Sequence, residues 1–146
     1  MTLNEILAAK GATVQTISPD ASLRELVDRL NQRNIGSLVV VDDSEDPPRI
    51  AGIITERDIL HACAAGDDLT ATKVSKWMST ELVTGSPSDA VSEIMGLLTE
   101  KRIRHLPVLE KGRLVGIISI GDVVKTQHDQ LAMENQFMRR YIQTER

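Results

Sequence analysis

The chain has 146 residues, a net charge of −4 and only three aromatic residues, which argues against a nucleic-acid partner because such a partner needs a clustered basic face or a stacking platform. The longest apolar runs fall far short of the ~20 residues of a membrane helix, and the N-terminus lacks the pattern of a signal peptide, so we expect no membrane partner. Cys63 is the only cysteine, which excludes an internal disulfide and favours a reducing compartment, the cytoplasm.

The first half of the chain predicts alternating helices and strands. Capping boxes at 2–5 and 22–25 each precede apolar residues at helical spacing. The uncharged, β-branched run at 37–41 predicts a buried strand, and the acidic, proline-containing stretch after it predicts a surface loop. The predicted elements are a helix over 2–9, a strand over 14–17, a helix over 22–33, strands over 37–41 and 50–55, and a helix over 56–65.

The second half predicts the same order after a hinge at 66–73. Apolar residues at helical spacing indicate a helix that starts near residue 88, and residues 110–113 are typical of a tight turn between two strands. Each half is therefore expected to be a β-α-β-β-α unit. The predicted elements are a short helix over 74–78, a strand over 82–84, a helix over 88–101, strands over 105–109 and 114–119, and a helix from about residue 120.

One long helix is predicted from Val123 to about Thr144. It carries a broad apolar stripe opposed by Glu134, Arg139 and Arg140. Such a stripe covers either the protein's own core or a second copy of the chain, and the alternative is that it docks onto a different protein. The stripe consists of Leu131, Met133, Phe137, Met138, Tyr141 and Ile142.

The two halves are related by an internal repeat. Residues 16–19 return in part as residues 84–87, at an offset of 68 (84 − 16 = 68), and residues 52–58 return as residues 116–122, at an offset of 64 (116 − 52 = 64). The offset shrinks because one loop is shorter in the second copy. A repeat of this length is one supersecondary unit doubled, and two such units enclose a pseudo-symmetric groove where a ligand site is expected.

The residues that carry the repeat resemble a tandem pair of cystathionine β-synthase (CBS) domains, often called a Bateman module. The resemblance rests on the doubled Gly-hydrophobic-hydrophobic-Thr/Ser-x-x-Asp endings at Asp58 and Asp122, on the Ser-Pro turn before each first helix, and on residues 104–108. It covers about residues 2–126 with no enzymatic domain attached, so a stand-alone member is expected. The predicted domains are a first repeat over 1–66, a second over 67–127 and a C-terminal amphipathic helix over 128–146.

The resemblance implies an α+β fold in which two β-α-β-β-α repeats pack about a pseudo-twofold axis and leave two clefts between them. In the family these clefts commonly hold adenosine ligands such as AMP, ADP, ATP, S-adenosylmethionine and sometimes NAD. The modules regulate enzymes, channels or transporters, or stand alone, and two modules commonly form a disc-shaped dimer. We therefore expect an adenosine-type ligand, a homodimer and a regulated protein partner, with no required cofactor.

Asp58 and Asp122 each stand at a helix start, where a carboxylate offsets the positive helix end. An ionised carboxylate also has enough lone pairs to accept both hydroxyls of a ribose diol. Simple capping of its own helix is the alternative for each aspartate. The recurrence of Thr55 or Ser119 three residues earlier favours the ribose role, and these hydroxyls can serve a phosphate as well as cap the helix.

The cationic side chains are placed unequally between the repeats. Arg104 and His105 stand where the first repeat has Gly-Ser, and Arg57 adds a donor that the second repeat lacks. The fixed charge of arginine suits phosphate better than histidine, which is mostly neutral at pH 7. The alternative is that Arg104 or His105 pairs with Glu100 or Glu110.

In the family, each cleft takes its aspartate from one repeat and its strand-edge residues from the other. The Asp58 cleft has cations for an anionic tail, so it is expected to prefer phosphorylated ligands, whereas the Asp122 cleft has only neutral hydroxyls and is expected to be weaker or empty. Adenine is expected to contact backbone groups and apolar side chains such as Ile53. Carried over, the Asp58 cleft combines Ile53, Thr55, Arg57 and Asp58 with Val83, Thr84, Arg104 and His105, and the Asp122 cleft combines Ile117, Ser119 and Asp122 with Thr16, Ile17, Ser37 and Leu38.

No residues form a recognisable catalytic or metal-binding set in the sequence, since His61 and Cys63, two apart on a helix, face different directions. We therefore expect a non-enzymatic regulatory or sensor module that binds an adenosine-containing ligand of the AMP, ADP or ATP class, with NAD or S-adenosylmethionine as alternatives. The competing hypothesis is a ligand-free structural scaffold for dimerisation or interaction. An enzyme acting on nucleotides is a third.

Overall fold

A computed structural model describes residues 1–11 and 14–144, so the few remaining residues of the predicted domains lie outside the described residues. The mixed α+β architecture with a long C-terminal helix, which the sequence predicts, is confirmed. The elements are α1 (Leu3–Lys10), β1 (Thr16–Ile17), α2 (Leu23–Arg33), β2 (Ser37–Asp42), β3 (Arg49–Thr55), α3 (Glu56–Ala64), α4 (Val74–Trp77), α5 (Val91–Lys101), β4 (His105–Glu110), β5 (Arg113–Ser119) and α6 (Ile120–Thr144).

Each repeat contains an antiparallel strand pair with the same irregularity. In the first repeat, β2 pairs with β3 so that Val40 lies opposite Gly52, and the register shifts between Val40 and Val41. In the second repeat, β4 pairs with β5 so that Val108 lies opposite Gly116, and the register shifts just beyond Val108. A bulge therefore recurs at one position of the repeat and bends both strand pairs alike.

The strand predicted over 82–84 is absent from the second repeat. In the first repeat β1 pairs in parallel with β2, whereas in the second only Gly85 forms an isolated parallel bridge to β4. The Gly85 N–H donates to the Pro107 carbonyl at 2.9 Å, and the Gly85 carbonyl accepts from the Leu109 N–H at 2.9 Å. Extending this pairing toward residue 83 would need an N–H at position 107, which proline lacks. The second sheet therefore has two strands where the first has three.

The two predicted capping boxes have different outcomes. The Ser22 hydroxyl accepts from the Glu25 N–H at 3.1 Å and caps α2. Thr2 makes no side-chain capping bond at the start of α1. The Leu3 N–H donates to the Asp89 carbonyl at 3.0 Å. A residue of the other repeat therefore satisfies one of the amides at the start of α1 that have no partner within the helix. The capping box predicted at the chain's start is therefore wrong.

The first helix of each half of the chain packs on the other half. Leu3, Ile6 and Leu7 of α1 belong to the core cluster of the second repeat. Val74 of α4 is buried in the core cluster of the first repeat, and its N–H donates to the Ala21 carbonyl at 2.8 Å. This exchange ties the halves together, and it places the last residue of α1 beside the second repeat. The domain boundaries drawn in sequence order stay a prediction, because the packing crosses them.

The second half of α6 projects from the repeats. Val123 is buried in the core of the second repeat, but residues 128–143 are all exposed. Phe137 is 71% exposed and Met133 is 72% exposed. The apolar stripe therefore does not cover the protein's own core, because nothing in the described part of the chain packs over it. A second copy of the chain or a different protein remains as its expected partner.

Candidate functional site

A cleft of about 760 Å³ lies between the two repeats, a volume typical of small-molecule sites. One wall is the junction of β3 and α3, and the other is formed by residues 79–83 and 102–107. We call it the Asp58 cleft. Thr84, which the sequence analysis assigns to this cleft, is not among the residues that line it. The lining residues that the sequence predicts are Ile53, Thr55, Arg57, Asp58, Val83, Arg104 and His105.

Asp58 is held at the start of α3 by the residue that precedes the helix. Its Oδ2 accepts from the Thr55 N–H at 2.9 Å and from the Thr55 hydroxyl at 3.3 Å. The first helical residue is fixed across the sheet, where the Glu56 N–H donates to the Gly36 carbonyl at 3.0 Å. Both bonds to Asp58 converge on one oxygen. A carboxylate has about four lone-pair sites, so capping leaves it able to accept two further donors.

Three arginines line the Asp58 cleft: Arg57, Arg102 and Arg104. Each is exposed, and among residues 1–11 and 14–144 none of the three takes part in an ion pair. Glu56 and Glu81 also line the cleft, so its walls are not uniformly cationic. The arginine side of the cleft suits an anionic group, and the side with the two glutamates does not. The sequence predicts neither Arg102 nor the glutamates as site residues, because Arg102 and Glu81 lie outside the repeated motif and Glu56 stands at a position of the motif that changes to Ile120 in the second copy.

Arg102 adopts a backbone conformation that arginine disfavours. It caps the end of α5 in the left-handed region, with φ 54° and ψ 43°. The same position of the first repeat is Asn34, with φ 52° and ψ 48°. The left-handed region costs an ordinary residue about 1 kcal/mol or more, and asparagine tolerates it best after glycine. An arginine at this strained position in the cleft wall suggests a role for its side chain beyond folding.

His105 lines the Asp58 cleft from the second repeat. It faces Ser119 across β4 and β5. Burial lowers the pKa of His105 below its ordinary value of 6.5, the charges of Lys10 and Arg104 lower this pKa further, and Asp122 and Glu56 oppose the shift. His105 is therefore neutral at neutral pH, so it offers the cleft hydrogen-bonding atoms and no charge.

The expected alternative for the strand-edge residues, an ion pair with Glu100 or Glu110, does not occur in the described part of the chain. Arg104 is instead anchored through its backbone, since its carbonyl accepts from the Ile120 N–H at 2.9 Å. Its exposed guanidinium can therefore serve a ligand without first breaking a contact within the protein.

The backbone of Ile53 is already hydrogen-bonded. Its N–H donates to the Ser79 carbonyl at 3.0 Å, and its carbonyl accepts from the Ser79 N–H at 2.9 Å. Adenine can thus contact the Ile53 side chain, but the hydrogen bonds of the base must go to other groups. Leu60, Leu82 and Val83 add apolar surface to the same cleft.

In the Asp122 site (Ile117, Ser119 and Asp122), a cation contacts the aspartate directly, and this sets the site apart from the Asp58 cleft. The Asp122 Oδ2 accepts from the Ser119 N–H at 2.9 Å, and the Asp122 N–H donates to the Ser119 hydroxyl at 3.1 Å. Lys10 also donates to Oδ2 at 2.7 Å and to the Ile117 carbonyl at 2.9 Å. The expectation that this site has only neutral hydroxyls is therefore wrong, because α1 crosses over and brings its last residue there.

The pKa of Asp122 reflects this contact. Burial raises the pKa of Asp122, but the ammonium of Lys10 and the Ser119 N–H outweigh burial and hold it below its usual value of 3.8. The aspartate is ionised and paired at neutral pH.

The remaining predicted members of the Asp122 cleft lie in the first repeat. Ile17 and Leu38 are buried in its core cluster. Ser37 is buried opposite Thr55 in the pairing of β2 with β3. Thr16 is exposed, and its carbonyl accepts from the Arg29 guanidinium of α2 at 2.8 Å. Their expected contribution to a ligand at Asp122 stays a prediction.

Among the described residues, no three His, Cys, Asp or Glu side chains gather in a group that could hold a metal ion. Among the helices of the same residues, none has both the length and the apolar character to cross a membrane.

Comparison with known proteins adds the family context. A family model described as CBS domain matches residues 12–65 and 74–129. A mitochondrial CBS domain-containing protein of Arabidopsis thaliana is 36% identical over 149 residues, which covers 97% of this chain and 72% of the relative.

Solved structures agree with this match. A CBS-domain containing protein from Agrobacterium tumefaciens has a TM-score of 0.80 at 38% identity, covering 86% of this chain and 92% of that one. A CBS domain protein from Pyrobaculum aerophilum, solved in complex with AMP, has a TM-score of 0.74 at 28% identity, covering 84% of this chain and 89% of that one.

Proposed function

The chain belongs to the CBS domain family and carries two such domains in tandem, and from this premise we propose that it is a non-enzymatic regulatory module that binds an adenosine nucleotide, AMP first among them, in the Asp58 cleft. One observation carries the proposal. The cleft is lined by a half-buried carboxylate from the first repeat, Asp58, and by three arginines, two of which come from the other half of the chain.

Each part of a nucleotide finds a chemical partner in this cleft. The carboxylate of Asp58 accepts the two hydroxyls of the ribose, which are adjacent donors. The guanidinium groups of Arg57, Arg102 and Arg104 bind the phosphate. Apolar side chains such as Ile53 contact the base. The Pyrobaculum aerophilum relative supports AMP as the first candidate because it was solved with that ligand. ADP, ATP, NAD and S-adenosylmethionine share the adenosine and are the other candidates.

Regulation follows from where the ligand's partners lie. A nucleotide held by Asp58 on one side and by Arg104 on the other links the two repeats, so it favours the arrangement in which both reach it. A ligand shifts such an equilibrium only by its difference in affinity for the two arrangements. A regulated protein partner would respond to that shift.

Thermal unfolding with a ligand panel tests the proposal. We expect AMP, at about 100 times its Kd, to raise the free energy of unfolding by about 2.7 kcal/mol. GMP is the matched control for the base, and ribose 5-phosphate is the control for the sugar and phosphate without it. A flat response to AMP, ADP, ATP, NAD and S-adenosylmethionine would contradict nucleotide binding.

Arg102 offers a sharper test, because we expect this residue to lower the stability of the free protein and to raise its affinity for AMP. We expect Arg102→Asn to stabilise the free protein by about 0.5–1 kcal/mol, since asparagine suits the left-handed cap that Asn34 already occupies in the first repeat. The same change should weaken AMP binding by about 3- to 10-fold, because a partly solvated charge-assisted bond is lost. Urea unfolding and calorimetry measure the two effects. Arg102→Lys is the control: it keeps the charge and the strain, so affinity should fall little and stability should not rise.

A second candidate function is a scaffold for assembly through α6, and the exposed stripe around Phe137 and Met133 favours it. Solvent-exposed apolar side chains in this number mark an interface. The two functions are compatible, since a homodimer formed through α6 leaves the Asp58 cleft in place. Sedimentation of the protein with and without Phe137→Glu distinguishes a homodimer from a monomer. The cytoplasm remains the proposed compartment, on the evidence of the single cysteine alone.

A further inference from the structure

We infer that Lys10 acts as a built-in occupant of the Asp122 site and limits the chain to one bound nucleotide, held in the Asp58 cleft. This inference rests on the proposed function and adds what sets the number of ligands. It depends on the contacts of the Lys10 side chain, which lies beside the second repeat because α1 packs there.

Lys10 contacts one oxygen of the carboxylate that a ribose would need. Its ammonium lies 2.7 Å from the Asp122 Oδ2 and 2.9 Å from the Ile117 carbonyl oxygen. That same Oδ2 also accepts from the Ser119 N–H at 2.9 Å. The pair is partly shielded, with 38% of the Lys10 side chain and 24% of the Asp122 side chain exposed. Such shielding makes an ion pair stronger than one on the open surface.

The first repeat has no such cation at the equivalent place. The Leu3 N–H donates to the Asp89 carbonyl as the Val74 N–H does to the Ala21 carbonyl, so α1 and α4 correspond at an offset of 71 (74 − 3 = 71). Lys10 therefore corresponds to Glu81 (81 − 10 = 71), a carboxylate that cannot form an ion pair with Asp58. The carbonyl of Ile53 receives the Ser79 N–H, whereas the equivalent carbonyl of Ile117 receives the ammonium. Asp58 is thus left with only the donors of Thr55, among the contacts in the described residues.

A ribose at the Asp122 site would either displace the ammonium from Oδ2 or bind through Oδ1 to a carboxylate whose charge Lys10 already offsets. The ribose hydroxyls are neutral donors, so they do not replace the charge of the ammonium, and a carboxylate paired with a cation is a weaker acceptor for them. We therefore expect an affinity for AMP at Asp122 at least about tenfold below that at Asp58. Replacing Lys10 by an uncharged side chain of similar length removes the occupant while leaving the buried face of α1, formed by Leu3, Ile6 and Leu7, unchanged.

Calorimetric titration with AMP tests the inference through the number of ligands per chain. We expect one AMP for the native chain, two for Lys10→Met, and one again for the double variant Lys10→Met with Asp122→Asn. Lys10→Arg is the matched control, because it keeps a cation beside Asp122 and should stay at one. Circular dichroism and the midpoint of unfolding verify that each variant is folded.

The possible results separate the inference from the function on which it rests. One AMP for both the native chain and Lys10→Met overturns the role of Lys10 and leaves nucleotide binding intact. No AMP for any variant overturns both. A fall in affinity at Asp122 on removing Lys10, observed in an Asp58→Asn background, means that the lysine recruits the phosphate instead, and this also overturns the inference.

A second measurement needs no ligand and no variant of α1. In the native chain, the carboxyl carbon of Asp122 followed by NMR should titrate below the usual value of 3.8, because burial is outweighed by the Lys10 ammonium. An Asp122 that titrates like an exposed aspartate would mean that the ion pair does not persist in solution, and the inference would fail.

Discussion

Asp58→Asn is expected to weaken AMP binding by about 10- to 100-fold, because hydrogen bonds to a charged acceptor contribute about 1.5–3 kcal/mol and the amide offers its own donors to the ribose hydroxyls. The fold should survive the change. The amide oxygen can still accept from the Thr55 N–H, which now bonds to Oδ2 at 2.9 Å. Calorimetry with AMP measures the loss.

A chemical cycle isolates the ribose contact from other effects of the substitution. The native chain should bind 2′-deoxy-AMP about tenfold more weakly than AMP, since one of the two hydroxyl donors is missing. In Asp58→Asn that preference should disappear, because the group that reads the hydroxyl has gone. An unchanged preference for AMP in the variant would show that Asp58 caps α3 and does not bind the sugar.

The repeat supplies a matched control for this experiment. Asp122→Asn makes the same chemical change at the equivalent position of the second repeat, where Lys10 occupies the carboxylate. Its effect on AMP affinity in the Asp58 cleft should stay within about twofold, as expected for a distant and independent site. Equal losses from the two substitutions would mean that the clefts are not distinct in their ligand preference.

Gly52→Ala is expected to lower the free energy of unfolding by about 3 kcal/mol, the upper part of the range for overpacking. A methyl group at Gly52 would lie 2.5 Å from the Ser79 carbonyl oxygen and 3.2 Å from the Met78 Cγ. The oxygen belongs to the backbone and is bonded to the Ile53 N–H, so it cannot give way without disrupting the pairing that lines the Asp58 cleft. Urea unfolding should show the loss, and AMP affinity should fall with it.

Gly116 is the equivalent residue of the second repeat and provides the comparison. A methyl group there would also be crowded, but by the side-chain ends of Leu7. A leucine can change rotamer and a backbone carbonyl cannot, so Gly116→Ala should cost about 1 kcal/mol. Similar costs for the two substitutions would contradict this account of why glycine stands at both positions.

Much of the fold follows from local patterns that the sequence repeats. The apolar spacing of α2 and α5 and the β-branched run of β2 indicate helices and strands without reference to distant residues. The strand predicted over 82–84 in the second repeat does not form, and the residues of that segment do not indicate its absence. Pro107 lies in β4, but its effect falls on the neighbouring segment at 82–84, which needs an N–H that proline cannot donate.

The Asp58 cleft shows the same division between local and distant information. Thr55 and Asp58 are three residues apart, and their spacing is enough to predict their hydrogen bond. Arg102 stands outside the repeated motif, so its presence in the wall becomes evident only when α5 and β3 are seen to face the same space. Glu81 likewise enters the cleft from a segment without regular structure.

The sequence by itself determined the doubled unit, the type of most elements, and the two aspartates at the starts of helices, because each of these depends on residues within a few turns of one another. Only the tertiary structure decided that the two aspartates differ. Lys10 reaches Asp122 across 112 positions of the chain, and it does so because the apolar face of α1 finds its burial on the second repeat instead of the first. Hydrophobic burial is not directional, so a sequence shows that α1 must be covered without showing which repeat covers it.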